Sequence, residues 1–159
     1  ACACHRAEGK IHITLTIVNR SDRPCFVIPS VRRVLMDSDT GTLSVWFSAA
    51  ARAAEDRSKM RIEFTAPKAE AIPENSEKAL IATLPEDMTR LVPHDDGTFH
   101  LEAVDLTKAT TVEVHTAVDD KPFYFSPERK DYLRQVTGWG RPLTARAKIK
   151  PPPTSTQVR

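Results

Sequence analysis

The stretch Ile11-His-Ile-Thr-Leu-Thr-Ile-Val18, followed by Asn19-Arg-Ser-Asp-Arg-Pro24 and then Cys25-Phe-Val-Ile-Pro29, decides how this chain is read. Ile11, Ile13, Leu15 and Ile17 recur at every second residue with His12, Thr14 and Thr16 between them, which is the period of a half-buried strand and not of a helix. The polar run that follows offers Asx-type side-chain hydrogen bonds and a proline with fixed φ, so the chain turns before the second apolar run begins at Cys25. The unit is a sheet-forming hairpin or corner.

Working outward, the same alternation recurs along the chain. Val31 to Met36 reads as extended, Asp37-Ser-Asp-Thr-Gly41 as a turn, and Thr42 to Ser48 as a return strand with Leu43, Val45 and Phe47 on one face and Trp46 on the other. Met60 to Thr65, Ala79 to Leu84, Thr98 to Val104, Thr111 to Val118 and Leu143 to Ile149 are further strands. One or two short helical insertions are expected: the alanine-rich run Ser48 to Lys59 reads as a short helix or an excursion between sheets, and Ser126 to Gln135 as a helical turn, where Ser126-Pro127 supplies a cap and a first-turn proline. Glu86 to Pro93 fits either a helical turn or a short strand. Each strand has one oily face that another sheet must cover. The expected fold is therefore an all-β, antiparallel, two-sheet immunoglobulin-like β-sandwich with an extended C-terminal tail. Residues 1–9 are expected as a flexible N-terminus, 10–149 as a single sandwich domain, and 150–159 as a proline-rich tail of polyproline and coil.

A chain of 159 residues is long enough to bury a substantial core without metal or disulfides. Its 23 basic and 21 acidic side chains leave a formal charge of +2, too small a field to steer it to nucleic acid. No apolar run reaches the roughly 18 residues of a membrane span, so a soluble chain is expected, cytoplasmic or of the cell envelope. The odd set Cys2, Cys4 and Cys25 argues against a disulfide framework, while one bond from Cys25 to either Cys2 or Cys4 stays open. Cys2 after an alanine also fits the remnant of a lipid-anchor site.

Several residues have the chemistry of a site. Val34-Leu-Met-Asp37-Ser-Asp39-Thr-Gly41-Thr resembles the first motif of haloacid-dehalogenase-type phosphotransferases, which implies a nucleophilic Asp37 and an acid/base Asp39. Thr40 intrudes before the Gly-Thr pair, and the surrounding alternation favours a plain hairpin turn. A calcium loop on the same residues lacks its later acid. Cys2-Ala-Cys4-His5 has metal-ligand residue types, and His12, His100 and His115, with Glu102 and Glu113, all fall on outer strand faces, where a solvated sheet face is the plainer reading. A blue-copper site is set aside because neither cysteine nor methionine follows Met88. No nucleophile elbow, phosphate-binding glycine loop, dinucleotide fingerprint or His-Glu-x-x-His occurs, and no cofactor is expected.

Asn19-Arg-Ser-Asp-Arg-Pro24 after an alternating strand, Asp37-Ser-Asp-Thr-Gly41 ahead of Val45-Trp46, and Ile72-Pro-Glu-Asn-Ser76 before another strand are together similar in order to bacterial immunoglobulin-like modules of the intracellular proteinase inhibitor type. The resemblance spans Ile11 to Leu84 and implies a rigid, non-catalytic binding sandwich. The expected function is protein–protein interaction, as an inhibitor, an immunity-type antagonist or an assembly subunit. Its contact surface is expected at Trp46, Phe123, Tyr124, Phe125, Tyr132 and Trp139, although covering the open end of the core is the plainer reading of these rings. The alternatives are a carbohydrate-binding module that stacks sugars on Trp46 or Trp139, and the phosphotransferase built on Asp37.

Overall fold

The computed structural model describes residues 1–31, 33–47, 68–93, 99–123 and 138–151. They form β1 (Cys2–Ala7), β2 (Lys10–Asn19), β3 (Cys25–Val27), β4 (Arg33–Asp37), β5 (Thr42–Trp46), β6 (Glu70–Ile72), β7 (Ser76–Pro85), β8 (Asp87–Pro93), β9 (Phe99–Asp105), β10 (Thr111–Asp119) and β11 (Arg141–Lys148). The described residues are all-β and contain no helix. The segments of the expected helical insertions and the strand expected at Met60 to Thr65 lie outside them, as does the tail beyond Pro151.

The alternating stretch that opened the reading is the centre of the first sheet, ordered β1-β2-β7. From Lys10↔Pro85 to Asn19↔Ser76, β2 pairs antiparallel with β7 along its whole length. Ile11, Ile13, Leu15 and Ile17 are buried with Leu80, Ala82 and Leu84 of β7. At its other edge β2 pairs with β1 through a turn at Glu8-Gly9, where φ is 50° and 68°. Both turn residues are left-handed, the two-residue connection whose twist matches a hairpin. Residues 1–9 are thus mostly strand, which corrects the expected flexible N-terminus. The cause is a ladder to β2 and a second contact on the far edge of β1, where Arg6 N–H donates to Lys150 O (2.9 Å) and Lys150 N–H to Cys4 O (3.1 Å).

In the second sheet β10 is central. β11 lies along one edge of it, and β5 (Thr111–His115) and then β3 (Val118–Asp119) share the other, with β4 outside β5 and β6 outside β3. The expected hairpin at Asp37 to Gly41 joins β4 to β5. Gly41, at φ +65°, sits so close to Thr110 that an added Cβ would lie 2.9 Å from its hydroxyl. Among the described residues the strands form three sheets where two were expected, and the paired strands run antiparallel except for β5, which runs parallel to β10.

Residues of the two sheets share one core, in which Ile13, Leu80 and Cys4 pack with Val27, Leu43, Val45, Phe47, Ile72, Val112 and Val114. Each fully buried aliphatic side chain contributes about 1.5–3 kcal/mol. The sheets are joined by two polar devices. Asn19, buried at the end of β2, donates to Arg23 O (2.8 Å), Ile72 O (3.1 Å) and Pro73 O (3.0 Å), fastening the corner where the chain passes from β6 to β7. The Arg6 guanidinium donates to the Glu86 carboxylate and to Leu106 O, Thr107 O and Ala109 O, fastening the loop after β9.

β8 continues β7 with only Glu86 between them. The partner β2 ends at Lys10, so past Pro85 the strand pairs with β9 instead, from Asp87↔Asp105 to Pro93↔Phe99. The segment left open between helical turn and strand is therefore a strand. Among the described residues β8 and β9 pair only with each other. Met88 and Val104 pack the base of this hairpin against the core.

Candidate functional site

Two surfaces concentrate the features that point outward from the core. The first is the outer face of the larger sheet. Trp46 alternates with the buried Leu43 and Val45 along β5, so it points away from the core. Register sets Arg33 of β4 on one side of it, His115 of β10 on the other, and Thr144 of β11 beyond His115, making one row across four strands. The indole and imidazole stack with centroids 4.6 Å apart at 9°, and the guanidinium of Arg33 sits 5.4 Å from the Trp46 ring centroid.

In the next row Glu113 accepts from Arg146 Nε and holds His115 Nε2 at 3.0 Å, while Thr144 Oγ1 lies 3.4 Å from His115 Nδ1. Burial holds His115 below the ordinary imidazole range. Arg146 acts in the same direction and Glu113 opposes both. Hydroxyl, imidazole and carboxylate are therefore in line. Thr144 nevertheless sits mid-strand on no strained turn, its contact is long for a hydrogen bond, and the Glu113 charge is taken by Arg146. The row is cross-strand packing of aromatic and charged side chains. Trp46 is only 7% exposed, which removes it from the expected exposed contact set, and Arg33 and His115 leave no free ring face for a sugar.

The other expected contact residues divide. Phe123 and Trp139 meet edge-to-face at 6.0 Å beside the β10–β11 connection, both half-buried, with Trp139 Nε1 donating to Lys121 O (3.2 Å). Tyr124, Phe125 and Tyr132 lie outside the described residues.

The remaining candidates resolve into structural roles. Asp37 accepts from Asp39 N–H (3.0 Å), Thr40 N–H (3.3 Å) and Thr40 Oγ1 (2.8 Å), and these bonds hold its exposed carboxyl below the usual carboxylate range. It closes the β4–β5 turn. In β1, Cys4 is buried and His5 exposed on the opposite face, so the three residues of the Cys-Ala-Cys-His run cannot converge on one ion. All three cysteines are free, which corrects the disulfide option, and burial pushes Cys4 up to about 11. His12, His100 and His115 belong to three separate sheets, so they are not on neighbouring strands, the condition for their forming one group. A cavity of about 340 Å³ between Arg6, Gly9, Glu86 and Thr107 has the fully engaged Arg6 as one wall.

The second surface, not singled out in the sequence, is the β8–β9 hairpin. It leaves Thr89 and Ala103 exposed, and Leu101 is 70% exposed. A two-stranded ribbon is marginal in water on its own, and among the described residues no third strand pairs with either outer edge. No helix among the described residues is long and apolar enough to cross a membrane. Comparison with protein-family models, with curated protein sequences and with solved structures found no match.

Proposed function

We propose that the chain is a non-catalytic protein–protein interaction module, an immunoglobulin-like sandwich that acts as an inhibitor, an immunity-type antagonist or an assembly subunit. Its docking element is the β8–β9 hairpin, and the partner it takes is a protein segment in extended conformation carrying apolar side chains at alternate positions. The observation that carries this reading is a ribbon about 23 Å long that pairs only with itself among the described residues and carries Leu101 in the open. An added strand supplies main-chain hydrogen bonds along an outer edge that no described strand occupies, and its alternate side chains cover Leu101. The shared core and the Asn19 and Arg6 fastenings provide the rigid base such a hairpin needs.

The test is a pull-down from the native source with wild-type chain and with Leu101→Asp. A stoichiometric partner retained in moderate salt by the wild type and lost by the variant, with an unchanged circular dichroism spectrum, supports the reading. Retention of the same partner by Leu101→Asp refutes the hairpin as its dock. Magnesium-dependent phosphate release abolished by Asp37→Asn refutes the non-catalytic assignment.

A further inference from the structure

We infer that His5 and His12 form a surface chelate for a borderline divalent transition ion, with zinc, nickel or copper(II) as its class. The two residues are direct partners in the β1–β2 ladder and both point to the outer face of the smaller sheet. Their imidazoles already stack, with centroids 5.0 Å apart and planes at 13°. A tetrahedral ion with bonds of about 2.0–2.1 Å needs nitrogens roughly 3.3 Å apart. The ladder holds the two backbones opposite each other, so the rings would reach that separation by leaving the stack through side-chain rotation.

The third residue of the row lies beside the other ring nitrogen of His12. Thr83 of β7 pairs with His12, and its Oγ1 lies 3.4 Å from His12 Nδ1. The contact is as long as that of Thr144 with His115; an Nδ1 proton turned toward that hydroxyl as an ion binds would leave the Nε2 lone pair for the ion, the way a neighbour of a ligating histidine selects its tautomer. On the other side, the parallel bridge at the seam places Lys150 beside His5. No carboxylate belongs to the row, so calcium and magnesium lack the oxygen ligands they require, whereas imidazole suits zinc, nickel and copper. No group of three or more histidine, cysteine, aspartate or glutamate side chains converges among the described residues. The site is therefore a two-nitrogen chelate whose other positions belong to water.

The test is zinc and nickel titration of the full chain by calorimetry, with magnesium as the control. The expected result is one zinc or nickel ion per chain and no magnesium, with His5→Ala and His12→Ala each reducing uptake to background. Thr83→Val should weaken binding about tenfold while keeping both ligands. Substituting Cys2 and Cys25 by serine should leave binding unchanged. His5 is exposed, so His5→Ala keeps the fold and separates lost ligation from lost structure. Unchanged uptake in the His5→Ala, His12→Ala double variant, loss of uptake in the serine variant, or no uptake by the wild type in molar excess of zinc overturns the assignment.

Discussion

Replacing Asn19 by alanine tests whether one buried amide fastens the corner between the sheets. The amide group donates to three carbonyls, and its oxygen accepts from Ser21 N–H (3.1 Å) and Ser21 Oγ (2.7 Å). Asn19 is itself buried, and its bond to Ile72 O is the one made away from solvent. Orphaning that carbonyl costs about 1–3 kcal/mol, and each partly exposed bond adds about 0.5–1.5 kcal/mol where water substitutes imperfectly. The expected loss is about 3 kcal/mol, or roughly 10 °C in Tm for a domain of this size. Urea and thermal unfolding followed by circular dichroism measure it. Asn19→Asp sharpens the test, because a carboxylate facing three carbonyl oxygens is favoured less in the folded than in the unfolded chain. Its folded pKa is thereby raised above the unfolded value of about 3.9, so the deficit is full at neutral pH and shrinks as pH falls through the folded value. A loss below about 1 kcal/mol for Asn19→Ala, or an Asn19→Asp variant as stable as wild type at neutral pH, refutes the reasoning.

Two further perturbations follow from the same geometry. His115 has its folded pKa pushed below the ordinary value of about 6.5 by burial, so above that value its protonation costs nothing, and stability is lost as pH falls from there toward the folded value. Fluorescence of Trp46, stacked on His115 with Glu113 and Arg146 alongside, should change only in that lower window, and His115→Gln should remove the step. Arg6→Gln removes charge-assisted bonds to Glu86 and to the carbonyls of the loop after β9, and should cost about 2–4 kcal/mol in urea unfolding, with exchange of the Leu106 and Ala109 amides rising first.

The alternation at Ile11 to Ile17, Leu80 to Leu84 and Val112 to Val114 was legible because a strand with one oily face writes its period into the residues themselves. The Asn19 to Pro24 and Asp37 to Gly41 turns were legible because their side-chain chemistry is local. β1 was not legible. Ala-Cys-Ala-Cys-His-Arg has little strand propensity, and what orders it are β2 and Lys150, the latter from the far end of the chain. The parallel β5–β10 pair was hidden for the same reason, since register between distant strands leaves no local mark.

At the candidate sites, Trp46 and His115 could each be placed on an outer face from the sequence. That they stack, and that Arg33 covers the indole, depends on three strands meeting. The hairpin was obscured because Met88 to Val92 reads ambiguously, and only the end of β2 at Lys10 frees β8 to pair with β9. The signal that could have found it is the stretch from Ser76 through Pro93, extended but for Glu86 and longer than the strand available to pair with it.

Amide hydrogen exchange of the chain, alone and saturated with the partner recovered from the pull-down, tests the docking claim most directly. The expected result is added protection concentrated in Asp87–Pro93 and Phe99–Asp105, with the ladder of β2 and β7 unchanged. Protection gained elsewhere, with the hairpin amides exchanging as fast as in the free chain, contradicts it.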